Sequence, residues 1–315
     1  MTDKGTVLVT GGAGFIGSHV AQQLLERGWR VRILDNFYRP DQNRLAELEG
    51  HERFEIVEGD VRYRAVVDKA MQGVDRVVHL AALAINKSVA APTESFDVNL
   101  MGTQHVAESA CEAGVARFVF SSSASVYGDP KKLPMSETDA ADPRTPYCIS
   151  KLASEHLLGF LGESRGLSWM ALRFFNVYGP GQRTDAYYTS VVLTFLRRIA
   201  IGDAPVIDGD GEQSMDFIHV YDIARSLVMA LESDVSGEVL NVGTGISTTI
   251  RDLARILIQH MGVAVEPVFR PRPVLVTRRA ADISRIAAVL GWQPTIDVED
   301  GLRTVVDEFK AEMSR

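Results

Sequence analysis

Short apolar runs alternate with longer amphipathic stretches through the first half of the chain. Thr6 to Thr10, Arg30 to Leu34, Phe54 to Val57, Arg76 to Leu80, Phe118 to Ser121 and Trp169 to Phe174 are mostly continuous in apolar character instead of strictly alternating. A strand that is apolar on both faces must be covered on both, as in a parallel sheet between two helical layers. His19 to Glu26 and Asn99 to Ala113 carry helical periodicity between these runs. The pattern predicts an α/β fold built on a doubly wound, Rossmann-type parallel sheet.

Beyond about Phe175 the regularity weakens, with Gly-Pro-Gly at 179–181 and Gly-Asp-Gly at 209–211. Helices are expected near 189–200, 222–232, 249–261, 282–290 and 298–312, and Glu238-Val-Leu-Asn-Val-Gly reads as a strand that can return to the main sheet. This divides the chain into residues 1–178, with a return near 215–245, and a smaller mixed α/β C-terminal unit over 179–315.

Composition narrows the class. With 315 residues, 46% hydrophobic and 23% charged, the chain can bury a sizeable core. A formal net charge of −8 argues against general affinity for nucleic acid, and the Arg-Pro-Arg-Pro and Arg278-Arg279 cluster is too local to change that. Cys111 and Cys148 form no Cys-x-x-Cys pair, so neither a disulfide framework nor a metal site is indicated. The chain enters Thr6 to Thr10 without a basic leader or apolar signal core, and no apolar run is long enough to span a membrane. Cytoplasmic residence is the expectation.

Thr6 to Thr10 runs directly into Gly11-Gly12-Ala13-Gly14-Phe15-Ile16-Gly17, with a helix starting near Phe15. Amides at a helix start can face a pyrophosphate, and missing side chains at glycine permit close approach of ligand and helix. Asp35 ends the second strand 18 residues after Gly17, where a carboxylate accepts ribose hydroxyls and repels a 2′-phosphate. The constellation predicts NAD, held by residues 1–178. Gly59-Asp60-Val61 and His79-Leu80-Ala81-Ala82 close the third and fourth strands. Taken singly, Asp60 would be a helix cap and His79 a buried structural histidine. Their place at carboxyl strand ends, where doubly wound sheets bind ligands, favours the cofactor reading instead.

Two Tyr-x-x-x-Lys spacings occur. Tyr127 and Lys131 bracket Gly128 and Pro130, which make a turn. Tyr147 and Lys151 begin a stretch free of Gly and Pro, so a helix would place phenol and ammonium on one face. A free tyrosine has a pKa of about 10, but a nearby cation favours phenolate. Opposite charges about 4 Å apart interact by roughly 4 kcal/mol at an effective dielectric near 20, before desolvation is subtracted.

Gly-Gly-Ala-Gly-Phe-Ile-Gly, His-Leu-Ala-Ala, Ser121-Ser-Ser-Ala-Ser-Val-Tyr-Gly128, Tyr-x-x-x-Lys and Arg173-Phe-Phe-Asn-Val-Tyr-Gly-Pro-Gly together resemble the extended short-chain dehydrogenase/reductase family, the nucleotide-sugar epimerases and dehydratases. Asp216-Phe-Ile-His-Val and Ala281-Asp-Ile-Ser extend the resemblance over nearly the whole chain. It implies Tyr147 as acid/base, Lys151 as its electrostatic partner and holder of the nicotinamide ribose, and Ser123 as a hydrogen-bond partner of the reacting hydroxyl. It also implies cofactor contacts from Gly11, Gly14, Phe15, Ile16, Gly17, Asp35 and Asn36, from Asp60, Val61, Leu80, Ala81 and Ala82, and from Asn99 and Ser121. On the substrate side it implies Lys87, Ser88, Ser123, Ser125, Tyr147 and Phe174, with Asn176 and Arg272 on a diphosphate and Tyr188 beside the sugar.

Relatives that eliminate water place Asp and Glu where this chain has Ala124 and Ser125, and decarboxylases also carry Glu at the latter. What remains is oxidation, turning of a keto sugar and return of hydride: epimerisation at C4 of UDP-glucose/UDP-galactose, or of a UDP-uronic acid whose carboxylate meets Lys87. A dehydratase or reductase of the same family, or a non-catalytic NAD-binding module, are the rival readings. One departure stands out: the family's phosphate-binding Arg before Asp-Phe is Met215 here, with Arg272, Arg270 or Arg183 as substitutes. The resemblance implies a homodimer joined through the helices holding Asn99 to Ala113 and Tyr147 to Leu161.

Overall fold

Each of the apolar runs becomes a strand in the computed structural model, which describes residues 4–182, 191–271 and 278–314. The strands are β1 (Thr6–Thr10), β2 (Arg30–Asp35), β3 (Phe54–Glu58), β4 (Arg76–His79), β5 (Arg117–Ser123) and β6 (Trp169–Phe174). They lie in the order β3-β2-β1-β4-β5-β6, and Glu238–Val242 adds a seventh strand beside β6. All pairings are parallel. The order reverses between β1 and β4, so the loops leaving their carboxyl ends part and open a crevice.

Alternate side chains of each strand face opposite layers. Val7, Val9, Ile33, Val78 and Leu172 pack toward the helices Phe15–Glu26 and Val220–Glu232. Leu8, Leu34, Val77, Phe118 and Phe120 pack toward helices that include Gly102–Ala113 and Pro146–Arg165. Val7, Leu8 and Val9 are fully buried. Complete burial of one such side chain is worth about 1.5–3 kcal/mol, which makes this strand a rigid base for the loop that follows it.

Outside the sheet, helices Val191–Ala200, Ile250–Met261 and Val298–Met313 enclose a separate apolar cluster around Leu196, Ile207, Leu253 and Val306. Two details differ from the sequence expectations. The serine run belongs to β5 as far as Ser123, because Ser121–Ser123 pair with Leu172–Phe174 and their backbone groups are used in the ladder. The stretch expected as one helix from Asn99 is broken, with a π-helical turn at Asp97–Met101 before the α-helix begins at Gly102. A Cβ on Gly102 would lie 2.6 Å from Val61, so the glycine lets this helix close on the loop after β3.

Candidate active site

The loop after β1 is shaped by close approach. Gly11 has φ +67 and donates its N–H to Leu34 O at 2.8 Å, and a Cβ there would sit 2.7 Å from the Ala81 nitrogen. A Cβ on Gly17 would lie 2.3 Å from Gly11 O. Gly14 is the N-cap of Phe15–Glu26 and supplies no side-chain cap, and no acidic residue occupies the first turn. The first amides of that helix have no partner within it, so they and the helix dipole are available to an anion.

Asp35 ends β2 beside this helix. Its Oδ2 accepts from Ala13 N at 3.0 Å and its Oδ1 from Phe37 N at 2.8 Å. Burial pushes this carboxyl above its usual range, against those two hydrogen bonds, which favour the charged form. Each oxygen keeps a lone pair for a ribose hydroxyl. Asn36 donates to Asp60 Oδ2 at 2.9 Å. Asp60 is not a helix cap; it is gripped by Arg62 through N, Nε and Nη2 at 2.9, 3.0 and 2.8 Å. Burial raises the Asp60 pKa, but the Arg62 and Asn36 hydrogen bonds outweigh it and hold the group at about 2. The sequence marks Arg62 only by its position two residues past an Asp at a strand end, which permits this local fork.

Behind the loop, His79 is fully buried between Thr10 Oγ1 at 2.6 Å and Thr103 Oγ1 at 2.9 Å. Thr103 spends its hydroxyl proton on Asn99 O at 2.6 Å, so Nε2 of His79 carries the ring proton and Nδ1 accepts from Thr10. Burial, helped by the Lys151 charge, lowers its pKa to about 3 and keeps it neutral. Thr10 Oγ1 in turn accepts from Leu80 N and Ala81 N, both at 3.3 Å. His79 is therefore a strut, acting through Thr10, that sets the backbone at Leu80 and Ala81, which line the crevice together with Ala82. Asn99 is likewise a support: its amide brackets Leu83 N at 2.6 Å and Leu83 O at 3.1 Å, and it does not line the crevice.

The catalytic candidates lie on Pro146–Arg165. Thr145 caps this helix by accepting from Cys148 N at 3.3 Å, Pro146 sits in the first turn, and Gly166 ends it at φ +71. These are the preferred residues for such positions, and they put Tyr147 in the first turn with Lys151 one turn on. The Lys151 Nζ lies 5.6 Å from the Tyr147 ring centroid and 4.7 Å from that of Phe120, and donates to Ser121 O at 2.6 Å. Burial draws the Lys151 pKa down to about 7 while Glu155 pulls the other way. Tyr147 N donates to Ser88 Oγ at 3.3 Å. Ser123 ends β5 and accepts from Ser125 N at 3.2 Å and Ser125 Oγ at 2.9 Å.

One crevice of about 420 Å³ joins these parts. Gly11, Gly14, Phe15, Ile16, Gly17, Asp35, Asn36, Asp60 and Val61 line one end, and Ser121, Tyr147, Lys151 and Phe174 the other. Its glycine loop, helix start and strand-end carboxylate could hold a dinucleotide. Lys87 also lines it and meets Glu94 at 3.8 Å. Ser123 and Ser125 stand beside the crevice, outside its wall. Asn176 begins a short strand, Asn176–Tyr178, paired with Phe217–His219. Met215 pairs with Thr248 at the edge of the C-terminal apolar cluster, and Arg270 is engaged with Asp208 at 2.6 Å. Tyr188, Arg272 and Arg183 lie outside the described residues. No group of side chains able to hold a metal ion occurs among the described residues, and no described helix is long and apolar enough to cross a membrane.

Comparison with known proteins meets this geometry. The family model described as the NAD dependent epimerase/dehydratase family matches residues 7–243. The UDP-glucose 4-epimerase of Mycolicibacterium smegmatis is 34% identical over 96% of this chain and 98% of its own. Among solved structures, UDP-N-acetylglucosamine 4-epimerase from Methanobrevibacter ruminantium, in complex with UDP-N-acetylmuramic acid, is 35% identical with a TM-score of 0.93, over 99% of this chain and 100% of that one. UDP-glucose 4-epimerase of Thermus thermophilus, in complex with NAD, is 34% identical with a TM-score of 0.84, over 97% and 99%. The chain belongs to the NAD-dependent epimerase/dehydratase family of nucleotide-sugar enzymes. NAD is its cofactor.

Proposed function

We propose that the protein is a nucleotide-sugar 4-epimerase acting on UDP-glucose and UDP-galactose, and that the serine-rich end of β5 carries the distinction. Family membership covers epimerases and dehydratases alike. Elimination of water needs an acid for the leaving hydroxyl and a base for the neighbouring C–H. Ala124 is buried, and the Ser125 hydroxyl is turned onto Ser123 at 2.9 Å. Tyr147 lines the crevice one helical turn from Lys151, a placement that suits proton removal and return at one oxygen. Lys87 is matched by Glu94 at 3.8 Å, which favours a neutral hexose over a uronic acid.

NAD held in the crevice would supply the hydride acceptor and donor that such a reversible oxidation needs. Tyr147 accepts the proton of the C4 hydroxyl as that carbon becomes a carbonyl, and returns it when the carbonyl is reduced on the other face. Ser123 shares a hydrogen bond with the same oxygen. The buried Lys151 ammonium lowers the cost of the phenolate. The sugar must turn between the two transfers, so its hold is through the diphosphate, for which Asn176 and Arg272 are the proposed contacts. Met215 implies a looser clamp there than an Arg would give. The test is a time course by NMR and mass with UDP-glucose, UDP-galactose and UDP-glucuronic acid: an equal-mass C4 epimer is expected, whereas loss of water or of carbon dioxide, or stoichiometric consumption of NADH, would replace this assignment.

A homodimer and cytoplasmic residence complete the proposal. Met101, Ile149 and Phe160 are 41, 42 and 61% exposed on the helices named for the interface, and two like pairs of helices can bury them as a four-helix seam. Both cysteines are free thiols, consistent with a reducing compartment. Sedimentation of wild type and Phe160→Glu checks the seam, a monomer being expected from the variant.

A further inference from the structure

Glu155 takes no part in the chemistry above, yet it lies buried on the same helix. Tyr147, Lys151 and Glu155 follow at four-residue intervals and share one face. The Glu155 carboxylate accepts from Arg173 Nε at 2.9 Å and Nη2 at 2.6 Å, and from the Ser122 hydroxyl. Ser122 lies between Ser121, whose carbonyl takes the Lys151 ammonium, and Ser123; Arg173 precedes Phe174 in the crevice wall. One carboxylate thus ties together the helix, β5 and β6, the elements that carry the site. A buried ion pair of this kind can often be replaced by apolar side chains without loss of stability, so stability alone is a weak reason for it to be here.

Charge supplies a better one. Around Lys151 Nζ stand the Ser121 carbonyl and hydroxyl and the Phe120 ring from β5, Tyr147 from its own helix, and the neutral His79 from β4. Lys87 and Glu94, on the helices across the crevice, offset each other. Arg173 on β6 faces Glu155. We propose that Glu155 is a positioning residue of the active site, one that keeps Lys151 in its ammonium form and, through Ser122 and Arg173, aligns the strand ends beside Tyr147. Burial already draws Lys151 to about 7, and Glu155 opposes that pull. Without the carboxylate the lysine would lose its proton at a lower pH and the phenolate its partner. The proposal rests on the assignment of Tyr147 and Lys151 as the acid/base pair.

The experiment compares kcat and KM against pH, with UDP-galactose as substrate, for wild type, Glu155→Gln, Glu155→Asp and the double variant Glu155→Met/Arg173→Met. The double variant removes both charges together, so no lone buried charge threatens folding; bound NAD and urea midpoints report the folded state. The alkaline limb of kcat is expected to move down by about one pH unit in Glu155→Gln, and in the same direction in the double variant, which is roughly a tenfold loss on that limb. KM should change little, and Glu155→Asp should return the limb toward wild type. A folded, NAD-bound double variant with an unmoved limb would overturn the proposal and leave the pair a structural one. Tyr147→Phe separates the two failures: if it is active, the acid/base assignment itself is wrong, whereas if it is inactive and the Glu155 variants keep the wild-type profile, only the positioning role falls.

Discussion

Tyr147 and Lys151 stand four residues apart on one 20-residue helix, whereas Tyr127 and Lys131, at the same spacing, are divided between a 3-10 turn and an exposed bend. The Tyr127 ring lies under the Arg173 guanidinium, 4.8 Å from the ring centroid, and its hydroxyl donates to Asn241 Oδ1 at 2.6 Å. Burial pushes its pKa up to about 12 even with a cation beside it. Tyr147 instead borders the crevice with Lys151 one turn away. A four-residue spacing brings two groups together only when the backbone between them is helical, and a phenol can act as a base only where its proton can leave.

The comparison breaks most visibly in turnover. Tyr147→Phe is expected to retain NAD and lose kcat by roughly 10²- to 10⁴-fold, while Lys131→Met leaves steady-state kinetics unchanged. A Tyr147→Phe enzyme near wild-type activity would end the distinction between the two pairs. Next in size is Gly17→Ala, because its Cβ would meet backbone at 2.3 Å and force the cofactor loop apart. NAD affinity, measured by calorimetry or retained cofactor, should fall about a hundredfold or more, equivalent to roughly 3 kcal/mol.

Tyr127→Phe sharpens the comparison from the structural side. It removes a buried hydrogen bond and leaves Asn241 Oδ1 without that donor, so urea denaturation should show a loss of about 1–2 kcal/mol. Its kinetic effect should be far below that of Tyr147→Phe.

A last effect, spread over three histidines, is on pH dependence. His79 is held at about 3, and His19 and His219 at about 4, chiefly by burial. A depressed histidine pKa means that the unfolded chain binds the proton first, so stability is lost as pH falls below about 6.5 and continues to fall toward the folded values. Each histidine would contribute on the order of 2 kcal/mol to the loss by pH 5. Urea midpoints at pH 7 and pH 5 measure the sum, and His79→Asn should lose less than wild type over that interval. An equal loss would show that another group dominates.

Much of the frame was legible because its causes are local. Continuously apolar runs marked the six strands within one or two residues, and Thr145, Pro146 and Gly166 bound the long helix by their own preferences. The glycine loop and Asp35 could be placed for the same reason. Arg62, Glu155 and the role of Asn99 were not legible, since each depends on what arrives from another strand or helix. Asp216 is the plainest case. It accepts from Thr244 N at 2.7 Å, Gly245 N at 2.9 Å and Ala281 N at 2.9 Å, joining three segments whose separation in the chain offers no hint of the contact.

By itself the sequence determined the parallel sheet, the dinucleotide loop and the Tyr147–Lys151 helix, because apolar pattern, glycine placement and capping act within a few residues of their own position. The tertiary structure decided which groups could titrate. It buried His79 as a neutral strut, locked Tyr127 onto Asn241, brought Lys151 down to about 7 and set Glu155 between Ser122 and Arg173. Burial and the distance between charges govern proton affinity, and both come into being only when distant segments pack.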